Sequence, residues 1–197
     1  MIDEPGAFAI RKIDRAEVAG PHGAFFAQML LAAVPEYYGL IPGGRAQVLA
    51  IVADQVCLEG SEQEHFYYMS RDDRPVAIIS GLLSDHLDAA KRVSMFQIAS
   101  QLSDDGADTF LQRLKGYESS VEQVPRGAYY ISRLATHPDA RRMGAASRFM
   151  RFLMDHNQGR PYALQVHRDN APIIAVHTKL GFRFQSNDPF EFRTMVQ

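Results

Sequence analysis

The chain has 197 residues, 46% of them hydrophobic, which suffices for one sizeable core at the usual size of a single domain. Charged residues make up 22% and the formal net charge is −2, so the basic excess that duplex binding needs is missing and nucleic acid is not an expected partner. Cys57 is the only cysteine, which excludes an internal disulfide, argues against a thiolate-held zinc and fits a reducing, cytoplasmic setting.

Met1 to Phe8 carries two acids and a Pro-Gly pair instead of a basic segment followed by an apolar run, so it does not read as a signal peptide. No apolar stretch approaches the roughly 20 residues of a membrane-spanning helix, the longest being broken by Pro35, Gln47 and Asp54, and no membrane partner is expected. A first strand is expected over residues 8–13, turning at Asp14, with Glu17 at capping-box spacing for a helix. Residues 23–34 predict a largely buried helix ended by Pro35, followed by an aromatic loop over residues 37–42. Residues 45–57 predict a helix with Ala46, Leu49, Val52, Ala53 and Val56 inward.

Two apolar runs, residues 65–70 and 75–83, flank Arg71-Asp-Asp-Arg74 and predict a hairpin. Residues 84–127 lack strand character. Leu87, Ala90, Ser94, Ile98 and Leu102 mark one helical face and Phe110, Leu111, Leu114 and Tyr117 another, so a helical insertion between the third and fourth strands is expected. Strands over 127–136 and 162–167, helices over 145–156 and 171–180, and two short strands over 182–184 and 190–195 complete the chain.

The strongest chemical signal is Leu134-Ala-Thr-His-Pro-Asp-Ala-Arg-Arg-Met-Gly-Ala-Ala-Ser147. A strand ends, a proline turn follows, and Arg141-x-x-Gly144-x-Ala146 opens a helix. Small residues let a ligand approach the backbone, and the unpaired N–H groups of a first helical turn, backed by the helix dipole, suit a pyrophosphate. No Gly-Lys-Ser/Thr of a phosphate loop is present, nor the third glycine and acid of a dinucleotide fingerprint. Downstream come Leu164-x-Val166-x-x-x-Asn170, then Val176-His177 and Lys179-Leu-Gly-Phe182.

In order and spacing these pieces resemble the acetyl-CoA-binding half of the GNAT acetyltransferases, over about residues 129–184. The resemblance implies one α/β (α+β) domain spanning residues 1–197, with a mixed, twisted sheet flanked by helices whose central strands splay apart. It also implies acetyl-CoA as co-substrate, a small-molecule or peptide amine as acceptor, and direct attack in a ternary complex. By the same carry-over the backbone of Leu134, Ala135 and Thr136 pairs with the pantetheine amides. Arg141, Arg142, Met143, Gly144, Ala145, Ala146 and Ser147 surround the pyrophosphate, and Asn170 bonds near the pantetheine arm or caps its helix.

His177 stands where similar enzymes place a tyrosine that protonates the leaving thiolate, and either takes that role or lines the cleft. The strand over 129–136 has no carboxylate to serve as base; Ser132 as a water relay, Glu64 and Asp85 are the candidates, none diagnostic by spacing. Acids Asp85, Asp88, Asp104, Asp105 and Asp108 of the insertion either draw a cationic amine or form a solvated face. The seven histidines show no pair at metal-ligand spacing with supporting acids, so no metal is expected. Association into a homodimer, a catalytically silent acyl-CoA sensor, another acyl group and a hydroxyl acceptor all stay open.

Overall fold

A computed structural model describes residues 8–157 and 159–197. All but Phe8 of the segment read above for a signal peptide lies outside them. The described strands form one seven-stranded sheet in the order β1-β2-β3-β4-β5-β7-β6. β1 (Phe8–Lys12), β2 (Phe66–Arg71), β3 (Arg74–Leu83) and β4 (Tyr129–Thr136) run as an antiparallel meander. β5 (Tyr162–His167) joins β4 in parallel, and β7 (Phe192–Val196) and β6 (Arg183–Phe184) close the far side.

Strand alternation sends Tyr68 and Ile78 to one face and Met69, Ala77 and Ile79 to the other, so the sheet carries two separate cores. On the first face lie α2 (Gly23–Ala33), α3 (Pro35–Tyr38), α4 (Arg45–Ala53) and α6 (Asp104–Ser119), contributing Phe26, Leu30, Tyr38, Ile51, Val52 and Phe110. On the second, α7 (Ala145–His156) buries Ala145, Phe149, Met150 and Leu153, the i, i+4, i+5, i+8 stripe of an amphipathic helix. Ile173 and Ile174 of α8 (Ala171–Lys179) pack against that second core.

Local chemistry explains several boundaries. α1 (Arg15–Ala19) begins with the expected capping box, Glu17 N–H donating to Asp14 Oδ1 at 2.8 Å and Asp14 N–H to Glu17 Oε2 at 3.2 Å. The β2–β3 hairpin turns on Asp72 and Asp73, both at positive φ (50° and 59°), as a two-residue turn matched to strand twist requires. The expected helical insertion is present as α5 (Leu87–Ser100), preceded by a short 3-10 turn, and α6, which starts where Ser103 Oγ accepts from Gly106 N–H.

Two expectations need correction. The aromatic segment over 37–42 is not all loop: Pro35 seeds the short helix α3, its fixed φ and missing N–H suiting a first turn, and both Tyr37 and Tyr38 are buried. α4 is shorter than expected, ending at Ala53; Leu49, Val52, Ala53 and Val56 do pack on the first core, joined by Val48 and Ile51, but Ala46 is exposed. Gln55, a polar residue just past the end of α4, is buried, its Oε1 accepting from Tyr38 Oη at 3.0 Å and its Nε2 donating to the Ser94 carbonyl at 2.9 Å. A helical pattern cannot foresee such a partner brought in from α5.

Candidate active site between the splayed strands

β4 and β5 pair only at Tyr129, Tyr130 and Ile131 with Tyr162, Ala163 and Leu164, and beyond that point they separate. The separation begins at a bulge. Ser80 opposes Arg133 and Gly81 opposes Ile131, so Ser132 is an extra residue on β4 that bends the strand. Gly81 is required there: a Cβ would lie 2.7 Å from Tyr129 Cε1 and 2.8 Å from the Tyr130 carbonyl oxygen. The opening forms part of a cleft of about 1520 Å³ that reaches from the head of α7 to the helical insertion.

One wall is backbone. His137 N–H donates to the Val76 carbonyl at 2.7 Å, and antiparallel alternation from that bond directs the N–H and C=O groups of Leu134 and Thr136 away from β3. No strand pairs with them on that side among the described residues, so the cleft exposes hydrogen-bonding backbone.

At the end of this wall a proline turn, Pro138–Ala140, brings the chain round through Arg142, at φ 64°, and Gly144, at φ 80°, into α7. Arg148 N–H makes the first backbone bond into the helix, to Gly144, at 3.0 Å, and the N–H groups of Ala145, Ala146 and Ser147 point forward, without a side-chain cap on Gly144. A Cβ on Gly144 would meet nothing within 4 Å, so the space ahead is open.

These residues fit a pyrophosphate-bearing thioester: forward-facing N–H groups, small side chains, Arg141 and Arg142 on the lining, and an unpaired strand edge leading inward. Of the residues expected to touch such a ligand, Leu134, Ala135, Thr136, Arg141, Arg142, Gly144, Ala145, Ala146, Ser147 and Asn170 all line the cleft. Met143 does not: its side chain is turned outward, the sulfur accepting from Arg71 Nη1 at 3.2 Å. Asn170 caps α8, its Oδ1 accepting from Ile173 N–H at 3.4 Å.

His177 faces the cleft from α8, 3% exposed, with its ring 5.7 Å from that of Phe182. Burial lowers its pKa from 6.5 to about 4, because an imidazolium is poorly solvated there, and Nδ1 has no hydrogen-bond partner among the described residues. The ring is therefore neutral at pH 7. Ser132 is also committed: a hydrogen bond of 2.8 Å joins its Oγ to Ser80 Oγ, and it donates to the Glu62 carbonyl at 3.1 Å. Glu64 accepts from Gly60 N–H and stays outside the cleft lining. Asp85 and Asp88 are exposed at the cleft's rim, whereas Asp104, Asp105 and Asp108 are exposed on α6 away from it.

The inner end of the cleft holds groups that sequence reasoning missed. Glu62, from the segment between α4 and β2, and Arg133, on β4, are 4% and 5% exposed and form an ion pair at 3.4 Å. Tyr37 and Tyr38 present their rings to the guanidinium at 5.7 and 5.9 Å, and Tyr37 stacks edge-on with Tyr117 of α6. Burial opposes the Arg133 cation, but the Glu62 carboxylate and the surrounding phenols outweigh this and hold it firmly protonated. Burial, and then the Glu62 charge, push the phenols of Tyr37 and Tyr130 far up, and burial takes Tyr117 to about 12. All three stay neutral across the physiological range.

Tyr130 Oη donates to Gln165 Oε1 at 2.9 Å, and Gln165 Nε2 in turn donates to the Glu122 carbonyl. One signal in the sequence pointed here. A charged Arg133 within an otherwise uncharged strand demands a buried partner. Which residue supplies it depends on a contact across 71 positions.

The comparisons with known proteins agree with this geometry. A family model described as the acetyltransferase (GNAT) family matches residues 35–182. Among solved structures, an N-acetyltransferase from Staphylococcus aureus Mu50 superposes with a TM-score of 0.72 at 14% identity, covering 96% of this chain and 100% of that one. A structure described as an acetyltransferase reaches 0.70 at 13% identity over 96% and 98%. One described as histone acetyltransferase HPA2 and related acetyltransferase, from Corynebacterium glutamicum ATCC 13032, reaches 0.62 at 12% over 96% and 95%. No curated protein matches significantly by sequence. At these identities the structures speak for the fold, and the family model, spanning most of the chain, makes the assignment: this protein belongs to the acetyltransferase (GNAT) family.

Proposed function

We propose that the protein transfers an acetyl group from acetyl-CoA to a primary amine of a small molecule or peptide, by direct attack within a ternary complex, as one domain working in the cytoplasm. The observation that carries this reading is the continuity of one cleft from the open head of α7, along the unpaired edge of β4, to the buried polar end at Glu62 and Arg133. A cofactor subsite and a chamber for a second molecule thus share one opening, which a ternary complex requires.

Ala145, Ala146 and Ser147 donate their N–H groups to the pyrophosphate, with Arg141 and Arg142 beside it. Leu134 and Thr136 pair with the pantetheine amides as a neighbouring strand would. Cys57 lies outside the cleft lining, and burial raises its thiol to about 11, so it is a poor nucleophile and a covalent acetyl-enzyme is disfavoured. His177, neutral at pH 7, serves as a hydrogen-bond donor to the departing sulfur, a thiolate of pKa about 8.5 needing no stronger acid. Asn170 keeps its capping role and orients α8 so that His177 meets the cleft.

Titration calorimetry with CoA, followed by thiol release from acetyl-CoA with a panel of primary amines, tests the proposal. Binding in the micromolar range together with amine-dependent thiol release supports it. Absence of CoA binding overturns it, and binding without release to any amine or to water points to a sensor.

A further inference from the structure

We infer that Glu62 is the general base of the acyl transfer, held in place by Arg133 and Ser132; this rests on the acetyltransferase reading above. β4 has no carboxylate, and the structure supplies one from the segment that precedes β2. Its position is specific. Ile131 is the last β4 residue paired with β5, and the bulged Ser132 that follows donates to the backbone carbonyl of Glu62 at 3.1 Å. Glu62 therefore sits at the apex of the opening, two residues from the strand edge offered to pantetheine.

The segment that carries it is tied down on both sides. Ser61 Oγ donates to the Leu58 carbonyl and accepts from Gln63 N–H, and Gln63 Oε1 accepts from Ser94 Oγ of α5. A carboxylate as buried as Glu62 needs a compensating partner, and the Arg133 guanidinium supplies it through the ion pair. Each carboxylate oxygen accepts one of the two Arg133 contacts, at 3.4 and 3.5 Å, and so keeps a lone pair for a further donor.

The remaining groups around the pair are Tyr37 and Tyr38 of α3, Tyr117 of α6 and Tyr130 of β4, all with phenols raised by burial and none competing as an acid or base near neutral pH. When Glu62 is neutralised, the Arg133 cation is not stranded: Nη1 donates to the Ser132 carbonyl at 2.8 Å, and two tyrosine rings face it.

The step balances within the ternary complex. The amine lone pair forms the C–N bond at the thioester carbonyl, the C–S bond breaks with its electron pair leaving on sulfur, and the nitrogen's surplus proton passes to a Glu62 oxygen. Glu62 returns that proton to solvent or to the departing thiolate through the open cleft.

The test measures CoA affinity by calorimetry and turnover by thiol release, using acetyl-CoA with putrescine, tyramine, lysine and an Ala-Ala peptide. Where none of these turns over, the slow hydrolysis of acetyl-CoA by water serves as the readout. Glu62→Gln should bind CoA within about twofold of wild type while kcat falls on the order of 100-fold. Its residual rate with an amine should climb with pH toward the pKa of that amine, because only amine already deprotonated in solution then reacts.

Wild-type kcat and an unchanged pH profile in Glu62→Gln, with CoA bound, overturn the assignment and leave the acetyltransferase reading standing. Wild-type protein that binds no CoA removes both. If Glu62→Gln fails to give a cooperative melt, Glu62→Asp keeps the negative charge on the same side as Arg133 but draws the carboxylate back by about 1.5 Å. That variant should lose about tenfold or more in kcat at unchanged CoA affinity, and full turnover in it overturns the proposal.

Discussion

The two ends of the cleft are built on opposite plans. The end at the head of α7 is mostly backbone, drawn from one contiguous stretch, residues 134–147, in which small side chains and two left-handed residues expose N–H groups. The end at Glu62 is mostly side chain, drawn from α3, the segment before β2, α6 and β4. Backbone donors suit a ligand whose contacting part is always the same, whereas interlocked side chains can vary with the acceptor without disturbing the fold. The first end should tolerate loss of a side chain but not a change of backbone, and the second should show the reverse.

The largest expected effect is at Arg133. Replacing it with Met leaves the Glu62 carboxylate buried without a cation, which should cost about 3–5 kcal/mol of stability, read from denaturant melts. Adding Glu62→Gln should recover part of the loss, because the uncompensated charge goes; a double variant no better than the single would mean the pair is not coupled in this way.

The next is a pH effect on the wild type. His177 has a folded pKa of about 4 against 6.5 for the free side chain, so the folded state binds fewer protons than the unfolded one between those values. Its contribution is fully present above pH 6.5 and disappears as pH falls through 4, amounting to about 3 kcal/mol. His177→Phe should flatten this acid limb of the stability curve, and a superimposable limb would place the titration elsewhere. The same variant tests the catalytic role: the neutral ring predicts a modest fall in kcat with no lost limb near pH 6.5.

At the backbone end, Gly144→Val puts a branched side chain at φ 80° and into the space ahead of α7, and should weaken CoA on the order of 100-fold, about 2.7 kcal/mol, by calorimetry. Ser147→Ala, which removes only a side chain, should change affinity by less than threefold. Similar losses in both would contradict a backbone cradle. The smallest effect is expected at the insertion: Tyr117→Ala opens the wall beside Tyr37 and should raise the amine KM about tenfold, at unchanged acetyl-CoA KM. Equal change in both constants would place Tyr117 outside the acceptor chamber.

How much of this was legible beforehand follows the same division. The open helix head at Gly144 could be read because glycine, small residues and a helix start lie side by side, and their backbone chemistry is local. The capping box at Asp14 and the hairpin at Asp72 were legible for the same reason. The inward face of α4 was legible except at Ala46, whereas Gln55 is buried only because Tyr38 and Ser94 arrive to satisfy its amide. His177 was found by position, but its protonation was not, since desolvation is a property of the packed surroundings.

By itself, then, the order of residues determined the strands, most helices, the insertion between β3 and β4 and the turn-to-helix segment within residues 134–147, all of which follow from interactions within a few positions. Tertiary structure decided which strands part, through a bulge at Ser132 defined only against Ser80 and Gly81. It also decided which carboxylate enters the cleft, through an ion pair between residues 71 positions apart. A buried charge needs a partner wherever the chain can supply one, and that choice is made by packing, not by neighbours in the sequence.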